Sequence, residues 1–112
     1  MKIYHNPRCT KSRETLRIIS DAGIEPEIVE YLQNPPSREE LNSILSMLKM
    51  KPEEILRKNE AVYKEKYKGK NLTDDEWIEI MIENPKLIER PIVVKGDQAV
   101  LGRPPENVKR LI

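Results

Sequence analysis

The first 36 residues alternate between strand-like and helix-like segments, each ended by residues that break regular structure. Lys2–His5 is a short β-favouring segment that an Asn-Pro pair ends. Thr10–Ala22 places apolar side chains on one helical face, and Gly23 lies just beyond its end. Glu25–Leu32 is a second β-favouring segment, followed by Asn-Pro-Pro. This order predicts a βαβ unit, in which two parallel strands are joined by a right-handed crossover.

The middle of the chain carries two helix-start signals. Ser37 with Glu40, and Thr73 with Glu76, each form a capping box ahead of apolar residues at helical spacing. Between them, Pro52-Glu53-Glu54 predicts a short helix, because proline and acidic side chains suit a first turn. The two apolar faces comprise Leu41, Ile44, Leu45 and Leu48, and then Trp77, Ile78, Met81 and Ile82. We interpret both faces as core.

The C-terminal segment resembles a hairpin followed by a helix. Pro91–Val94 and Ala99–Leu101 flank a Gly-Asp pair, and Pro104-Pro105-Glu106 begins the predicted last helix. The whole order is βαβ-ααα-ββα, an α/β class with a four-stranded mixed sheet flanked by helices. A length of 112 residues suits one domain over residues 1–112, with a helical insert at about residues 37–84.

Charge and hydropathy exclude several classes of protein. The 20 basic residues nearly balance the 19 acidic ones, so no global field attracts nucleic acid or an anionic membrane. The lysine-rich stretch Lys64–Lys70 is interpreted as a solvated loop. No apolar run approaches the roughly 20 residues of a membrane span, and the chain opens on a strand instead of a signal peptide. We therefore expect a cytoplasmic location.

Cys9 is the only cysteine, so the chain cannot form an internal disulfide. It is a core cysteine, a metal ligand or a nucleophile, and with His5 alone it falls short of a zinc ligand set. We expect no metal and no bound cofactor. Cys9 lies where the first strand meets the first helix, and Arg8, Lys11 and Arg13 surround it in sequence. Helix N–H groups and nearby cations favour a thiolate, so the pattern indicates a nucleophile.

Ser12 occupies the position that holds the second sulfur of a C-x-x-C redox pair. A catalytic cycle through Cys9 therefore requires an external thiol to attack the adduct or mixed disulfide. The Ser12 hydroxyl either donates a hydrogen bond to the thiolate or is an ordinary first-turn serine, and the sequence leaves both open.

Four segments resemble one known family in the same order along the chain. The segment His5–Arg13 resembles the active-site loop of the glutaredoxin-coupled arsenate reductases, which have a thioredoxin-like fold with a helical insert. Leu56-Arg57-Lys58, Glu89–Val94 and Leu101–Pro104 are similar to the three segments that supply that family's substrate arginines. The similarity spans essentially the whole chain.

The resemblance implies that Arg57, Arg90 and Arg103 bind the arsenate oxyanion and its arsenic adduct beside Cys9. The chemistry of arginine agrees with this role, because its planar fork of donors stays charged and matches a tetrahedral oxyanion. In isolation, each of these arginines would be interpreted as a solvated basic residue.

The resemblance also assigns supporting roles near the sulfur. His5 and Ser12 are expected to help keep it ionised, and Pro91 is expected to follow a cis peptide bond and to face the cysteine. The chain differs from well-known members in having Thr10-Lys11 where they have small residues, and in having Arg8 before the cysteine. These differences bear on substrate preference.

Three functions follow from these patterns. The first is an arsenate reductase that uses glutathione and glutaredoxin as external reductants. The second is a glutathione-dependent thiol-disulfide reductase, whose client is undefined and whose arginines would hold glutathione carboxylates. The third is a stress regulator that binds RNA polymerase, against which Ser12 argues because no C-x-x-C switch exists. We expect a monomer that binds neither nucleic acid nor membrane.

Overall fold

The computed structural model describes all 112 residues. It contains two compact units, one formed by Met1–Asn34 with Arg90–Ile112 and the other by Pro35–Glu89. The first unit holds the whole sheet, and the second is built from helices joined by loops. That residues 1–112 act as one domain stays a prediction.

The sheet of the first unit has four strands in the order β2-β1-β3-β4. They are β1 (Lys2–His5), β2 (Glu27–Glu30), β3 (Ile92–Lys95) and β4 (Gln98–Leu101). Strand β1 pairs with β2 in parallel, whereas β3 is antiparallel to both β1 and β4. The predicted parallel βαβ unit, the hairpin and the mixed four-stranded sheet are therefore confirmed.

Two helices complete the first unit. Helix α1 (Thr10–Asp21) joins β1 to β2, and Gly23 beyond its end has φ +78°, a conformation that glycine adopts without a steric penalty. The predicted last helix is present as a 3₁₀-helix over Pro105–Leu111. The buried apolar cluster that the sheet shares with these helices comprises Ile3, Ile19, Val93, Val100, Val108 and Leu111. Burial of these side chains is the main favourable contribution to folding of this unit.

The second unit has three α-helices and two short 3₁₀-helices. The α-helices are α2 (Arg38–Leu48), α3 (Ala61–Lys66) and α4 (Asp74–Glu83), and the 3₁₀-helices span Pro52–Ile55 and Pro85–Leu87. Helix α4 packs against α2 and against both 3₁₀-helices. None of the helices in the chain combines the length and the apolar composition that crossing a membrane requires.

Both predicted capping boxes are formed. The Ser37 hydroxyl accepts from the Glu40 N–H at 3.1 Å, and the Glu40 carboxylate accepts from the Ser37 N–H at 3.4 Å. Thr73 and Glu76 make the same reciprocal pair at 3.2 and 3.0 Å. These contacts satisfy N–H groups that a helix start otherwise leaves without partners.

The interpretation of Lys64–Lys70 as a solvated loop is wrong for its first residues. Residues 64–66 form the end of helix α3. The rings of Tyr63 and Tyr67 lie with their centroids 6.2 Å from that of Trp77, which is buried in α4. Aromatic contacts of this kind stabilise a local structure that composition alone does not indicate.

We predict that Ser37→Ala lowers the free energy of unfolding by about 1 kcal/mol, because the N–H of Glu40 loses its acceptor. Urea unfolding followed by circular dichroism measures this change. Ser43→Ala is the matched control, since Ser43 is exposed in the interior of the same helix. Equal stability of the two variants would contradict a stabilising role for the cap.

Candidate active site

The loop between β1 and α1 is organised by Asn6. Its side-chain Oδ1 accepts from the N–H of Arg8 at 3.0 Å, and its backbone carbonyl accepts from the N–H of Cys9 at 3.0 Å. The resulting turn makes Cys9 the N-cap residue of α1, with an extended backbone at φ −92° and ψ 123°. Cys9 therefore begins the helix at its positive dipole end, as predicted.

The sulfur of Cys9 lies beside a guanidinium group. Cys9 is only 7% exposed, and Nη1 of Arg103 lies 3.9 Å from its Sγ. The same Nη1 donates to the carbonyl of Arg90 at 3.1 Å, which limits where the guanidinium can move. Arginine stays protonated at physiological pH, so this contact places a permanent positive charge beside the sulfur.

His5 and Ser12 form a buried hydrogen-bonded pair next to the loop. His5 Nδ1 and Ser12 Oγ are 2.6 Å apart, and Oγ also accepts from the N–H of Asn6 at 3.1 Å. When Nδ1 carries the proton, Ser12 accepts two hydrogen bonds and its own hydroxyl proton can be donated elsewhere. Neither side chain hydrogen-bonds Cys9 in this structure, so stabilisation of a thiolate by these two residues stays a prediction.

The electrostatics of His5 favour its neutral form. Burial lowers the pKa of His5 below its ordinary value of 6.5; the charge of Glu30 opposes this shift, and that of Arg13 adds to it. Glu30 is the partner of His5 in the parallel pairing of β1 with β2. At neutral pH the imidazole is therefore uncharged and has one donor nitrogen and one acceptor nitrogen.

Arg90 and Pro91 lie where the chain enters β3. The Arg90–Pro91 peptide bond is cis, as the resemblance implies, and the Arg103–Pro104 bond is also cis. Arg90 is partly buried, with Nε and Nη1 of its guanidinium enclosed by protein. The Pro91 carbonyl accepts from the N–H of Gly102 at 2.9 Å, which joins this segment to the end of β4.

Arg57 belongs to the second unit and is held there by acidic side chains. Its guanidinium forms ion pairs with Glu60 and with Glu89, the latter at 3.6 Å, and it donates to the Lys86 carbonyl at 3.4 Å. The Arg57 side chain is only 19% exposed. An anion that binds this guanidinium must therefore compete with two carboxylates, a feature that the sequence pattern does not indicate.

The three cations that flank Cys9 in sequence do not donate hydrogen bonds to its sulfur. Arg13 donates to the Pro7 carbonyl at 3.0 Å and to the Thr10 hydroxyl at 3.3 Å. Arg8 and Lys11 are exposed. That these three cations favour the thiolate stays a prediction, and the cation that contacts the sulfur is Arg103.

Several residues of this region carried no signal strong enough to single them out. Asn6 lies inside the predicted loop, but its three hydrogen-bonding roles depend on the turn. Glu60 follows Arg57 at a spacing that suits an ion pair, and Glu89 precedes Arg90, so sequence proximity was the available hint.

No group of three or more His, Cys, Asp or Glu side chains is placed to hold a metal ion. The expectation of a metal-free site stays a prediction.

The family is decided by a match that covers nearly the whole chain. The family model described as the ArsC family matches residues 4–111, a span that includes the loop of Cys9 and all three arginine segments. The chain belongs to the ArsC family. The resemblance to the arsenate reductase family is therefore confirmed.

Individual relatives agree with the assignment. The Escherichia coli K12 protein named uncharacterized protein YfgD is 46% identical over 114 residues, 100% of this chain and 96% of that protein. An arsenate reductase from Acidiphilium multivorum is 44% identical over 107 residues, 95% of this chain and 76% of that protein. The solved arsenate reductase from Vibrio cholerae has 46% identity and a TM-score of 0.94, covering 99% of this chain and 96% of its own. The thioredoxin-like fold is thereby confirmed for this ArsC-family member.

We predict that the imidazole of His5 titrates below 6.5 in the folded protein, because burial disfavours its charged form. Proton NMR can follow it without ambiguity, since His5 is the only histidine. The unfolded chain then binds a proton that the folded chain does not, so stability falls as the pH drops from 6.5 toward the folded pKa.

The unfolded protein in urea is the control for that titration and should have the ordinary midpoint. His5→Gln should reduce the loss of stability between neutral and mildly acidic pH. A folded-state midpoint at or above that of the unfolded chain would contradict the neutral assignment of His5.

Proposed function

We propose that this ArsC-family protein is an arsenate reductase in which Cys9 is the nucleophile. The observation that carries the proposal is that the Arg103 guanidinium lies 3.9 Å from the sulfur of Cys9, the buried N-cap residue of helix α1. The family match and the relatives named arsenate reductase support the choice of substrate. Arg57, Arg90 and Arg103 are proposed as the donors that bind the oxyanion, following the family resemblance.

In the first step, the thiolate of Cys9 attacks arsenic and an arsenate oxygen leaves as water. The products are a Cys9 thioester of arsenate and water, and arsenic remains As(V). The permanent charge of Arg103 lies where negative charge moves from sulfur onto arsenate oxygens, so it is placed to stabilise that transfer. The substrate is dihydrogen arsenate, and both of its hydroxyl protons leave with the departing oxygen as water.

In the second step, a glutathione thiolate attacks the Cys9 sulfur. The sulfur–arsenic bond breaks and its electron pair goes to arsenic, which becomes As(III). The oxygens take up three protons from solvent, and the product leaves as arsenite in its neutral form, As(OH)3. Cys9 and glutathione are left as a mixed disulfide. Because Ser12 replaces the sulfur of a resolving cysteine, glutaredoxin or a second glutathione must attack this disulfide and release the Cys9 thiolate.

The proposal includes the physiological setting that this cycle requires. Glutathione and glutaredoxin act as external reductants, no cofactor is bound, and the enzyme works as a monomer in the reducing environment of the cytoplasm. His5 and Ser12 help to keep the sulfur ionised, with Ser12 able to donate its hydroxyl proton when His5 Nδ1 is the donor to it.

We predict that arsenate-dependent oxidation of NADPH, measured with glutathione, glutaredoxin and glutathione reductase, falls to background in Cys9→Ser. The serine hydroxyl is not ionised at neutral pH, so no nucleophile remains. Circular dichroism checks that the variant is folded. Wild-type turnover no greater than that of Cys9→Ser would end the proposal.

The same coupled assay separates this function from that of a thiol-disulfide reductase. Arsenate, phosphate and a small glutathione mixed disulfide are compared as substrates under identical conditions. Saturable turnover of arsenate favours the reductase proposed here. Turnover of the disulfide through Cys9 without saturation by arsenate would assign the arginines to glutathione carboxylates instead.

We predict that Glu60→Gln lowers the KM for arsenate by roughly two- to five-fold, because one carboxylate no longer competes with the oxyanion for Arg57. Glu53→Gln is the matched control, since it makes the same charge change at an exposed residue without an ion pair. An unchanged or higher KM in Glu60→Gln would show that Glu60 orients Arg57 instead of competing with substrate.

A further inference from the structure

Gly102 lies where three segments of the first unit come into close contact. A Cβ atom placed on Gly102 would lie 2.6 Å from Oγ1 of Thr15 and 2.7 Å from Cγ of Pro91. Both distances are well below ordinary van der Waals contact. Any side chain at this position must therefore push helix α1 or the Pro91 ring away from the end of β4.

Neither neighbour can move easily. Thr15 is completely buried, and its hydroxyl donates to the Lys11 carbonyl at 2.8 Å within the helix that Cys9 begins. Pro91 is a buried, rigid ring, and its carbonyl accepts from the N–H of Gly102 at 2.9 Å. The clash of a methyl group at residue 102 would thus be relieved only by moving the end of β4 away from helix α1 or from Pro91.

The displacement would reach the sulfur through the next residue along the chain. Arg103 directly follows Gly102, its Nη1 donates to the carbonyl of Arg90 at 3.1 Å, and the same atom lies 3.9 Å from Cys9 Sγ. Arg90 in turn precedes Pro91, one of the two neighbours of the Gly102 Cβ position. The close approach at Gly102 therefore sets the positions of both ends of the sulfur–guanidinium contact.

We propose that Gly102 is a positioning residue for the candidate active site: the absence of a side chain lets the end of β4 sit against Thr15 and Pro91, which holds Arg103 over Cys9. This inference rests on the proposed role of Arg103 in the arsenate reaction. It predicts that Gly102→Ala weakens the effect of Arg103 on the sulfur, although this substitution removes no polar side chain from the site.

A pair of alkylating reagents tests the proposal without arsenate. Iodoacetate and iodoacetamide both react with the thiolate of Cys9, so the ratio of their rates cancels the fraction of thiolate and reports the local positive potential. We expect this ratio to fall by about three- to ten-fold in Gly102→Ala, because the guanidinium moves away from the sulfur. The KM for arsenate should rise in the same variant.

Gly96→Ala is the matched control. Gly96 lies in the turn between β3 and β4 with φ +59°, and nothing lies within 4 Å of its Cβ position. Alanine there loosens the same unit through backbone strain but pushes on no part of the site. A ratio that is unchanged in Gly102→Ala, or that falls equally in Gly96→Ala, would overturn the proposal.

A second variant keeps the test decisive if Gly102→Ala does not fold. Thr15→Ala removes the closest obstructing atom, so adding Gly102→Ala to it should change the reagent ratio less than Gly102→Ala does alone, or should restore folding. Equal effects in both backgrounds would contradict the contact with Thr15 as a cause of the change. Because the ratio needs no arsenate turnover, a failed arsenate assay and a failed positioning role give different results.

Discussion

Contact between Cys9 and Arg103 joins two residues that are 94 positions apart in the chain. The sulfur is buried while the arginine residue is exposed, so solvent screens the charge of the guanidinium in part. The start of helix α1 positions the sulfur, and the end of β4 positions the guanidinium. The strand pairing of the mixed sheet and the close approach at Gly102 position the two residues of this contact.

Hydrogen bonds in the loop before α1 fix the backbone around the sulfur. Asn6 uses its side chain, its carbonyl and its N–H for three different partners, which fixes the turn, the helix start and the Ser12 hydroxyl together. A neutral His5 suits this network, because a charged imidazole would be buried close to Arg13. The sulfur thus lies beside the permanent charge of Arg103 and at the start of the helix, while His5 is hydrogen-bonded to Ser12.

How readily a basic side chain binds an anion depends on its existing ion pairs, as Arg57 illustrates. Glu60 and Glu89 hold its guanidinium in the second unit, so its charge is already compensated before any anion arrives. Arg8 and Lys11, by contrast, remain exposed on the loop. Exposed cations attract anions from solution at little cost, whereas a paired arginine binds only an anion that can replace or share its carboxylates.

The sequence by itself determined the order of the four strands, both capping boxes, the α/β class and the location of Cys9 at a helix start, because these depend on neighbours within a few residues. It also pointed to Arg103 through the family resemblance. Only the tertiary structure decided that Arg103, and none of the cations adjacent to Cys9, reaches the sulfur, that α3 forms against Trp77, and that Gly102 must lack a side chain. Those outcomes depend on distances between residues far apart in the chain, which local pattern and charge do not encode.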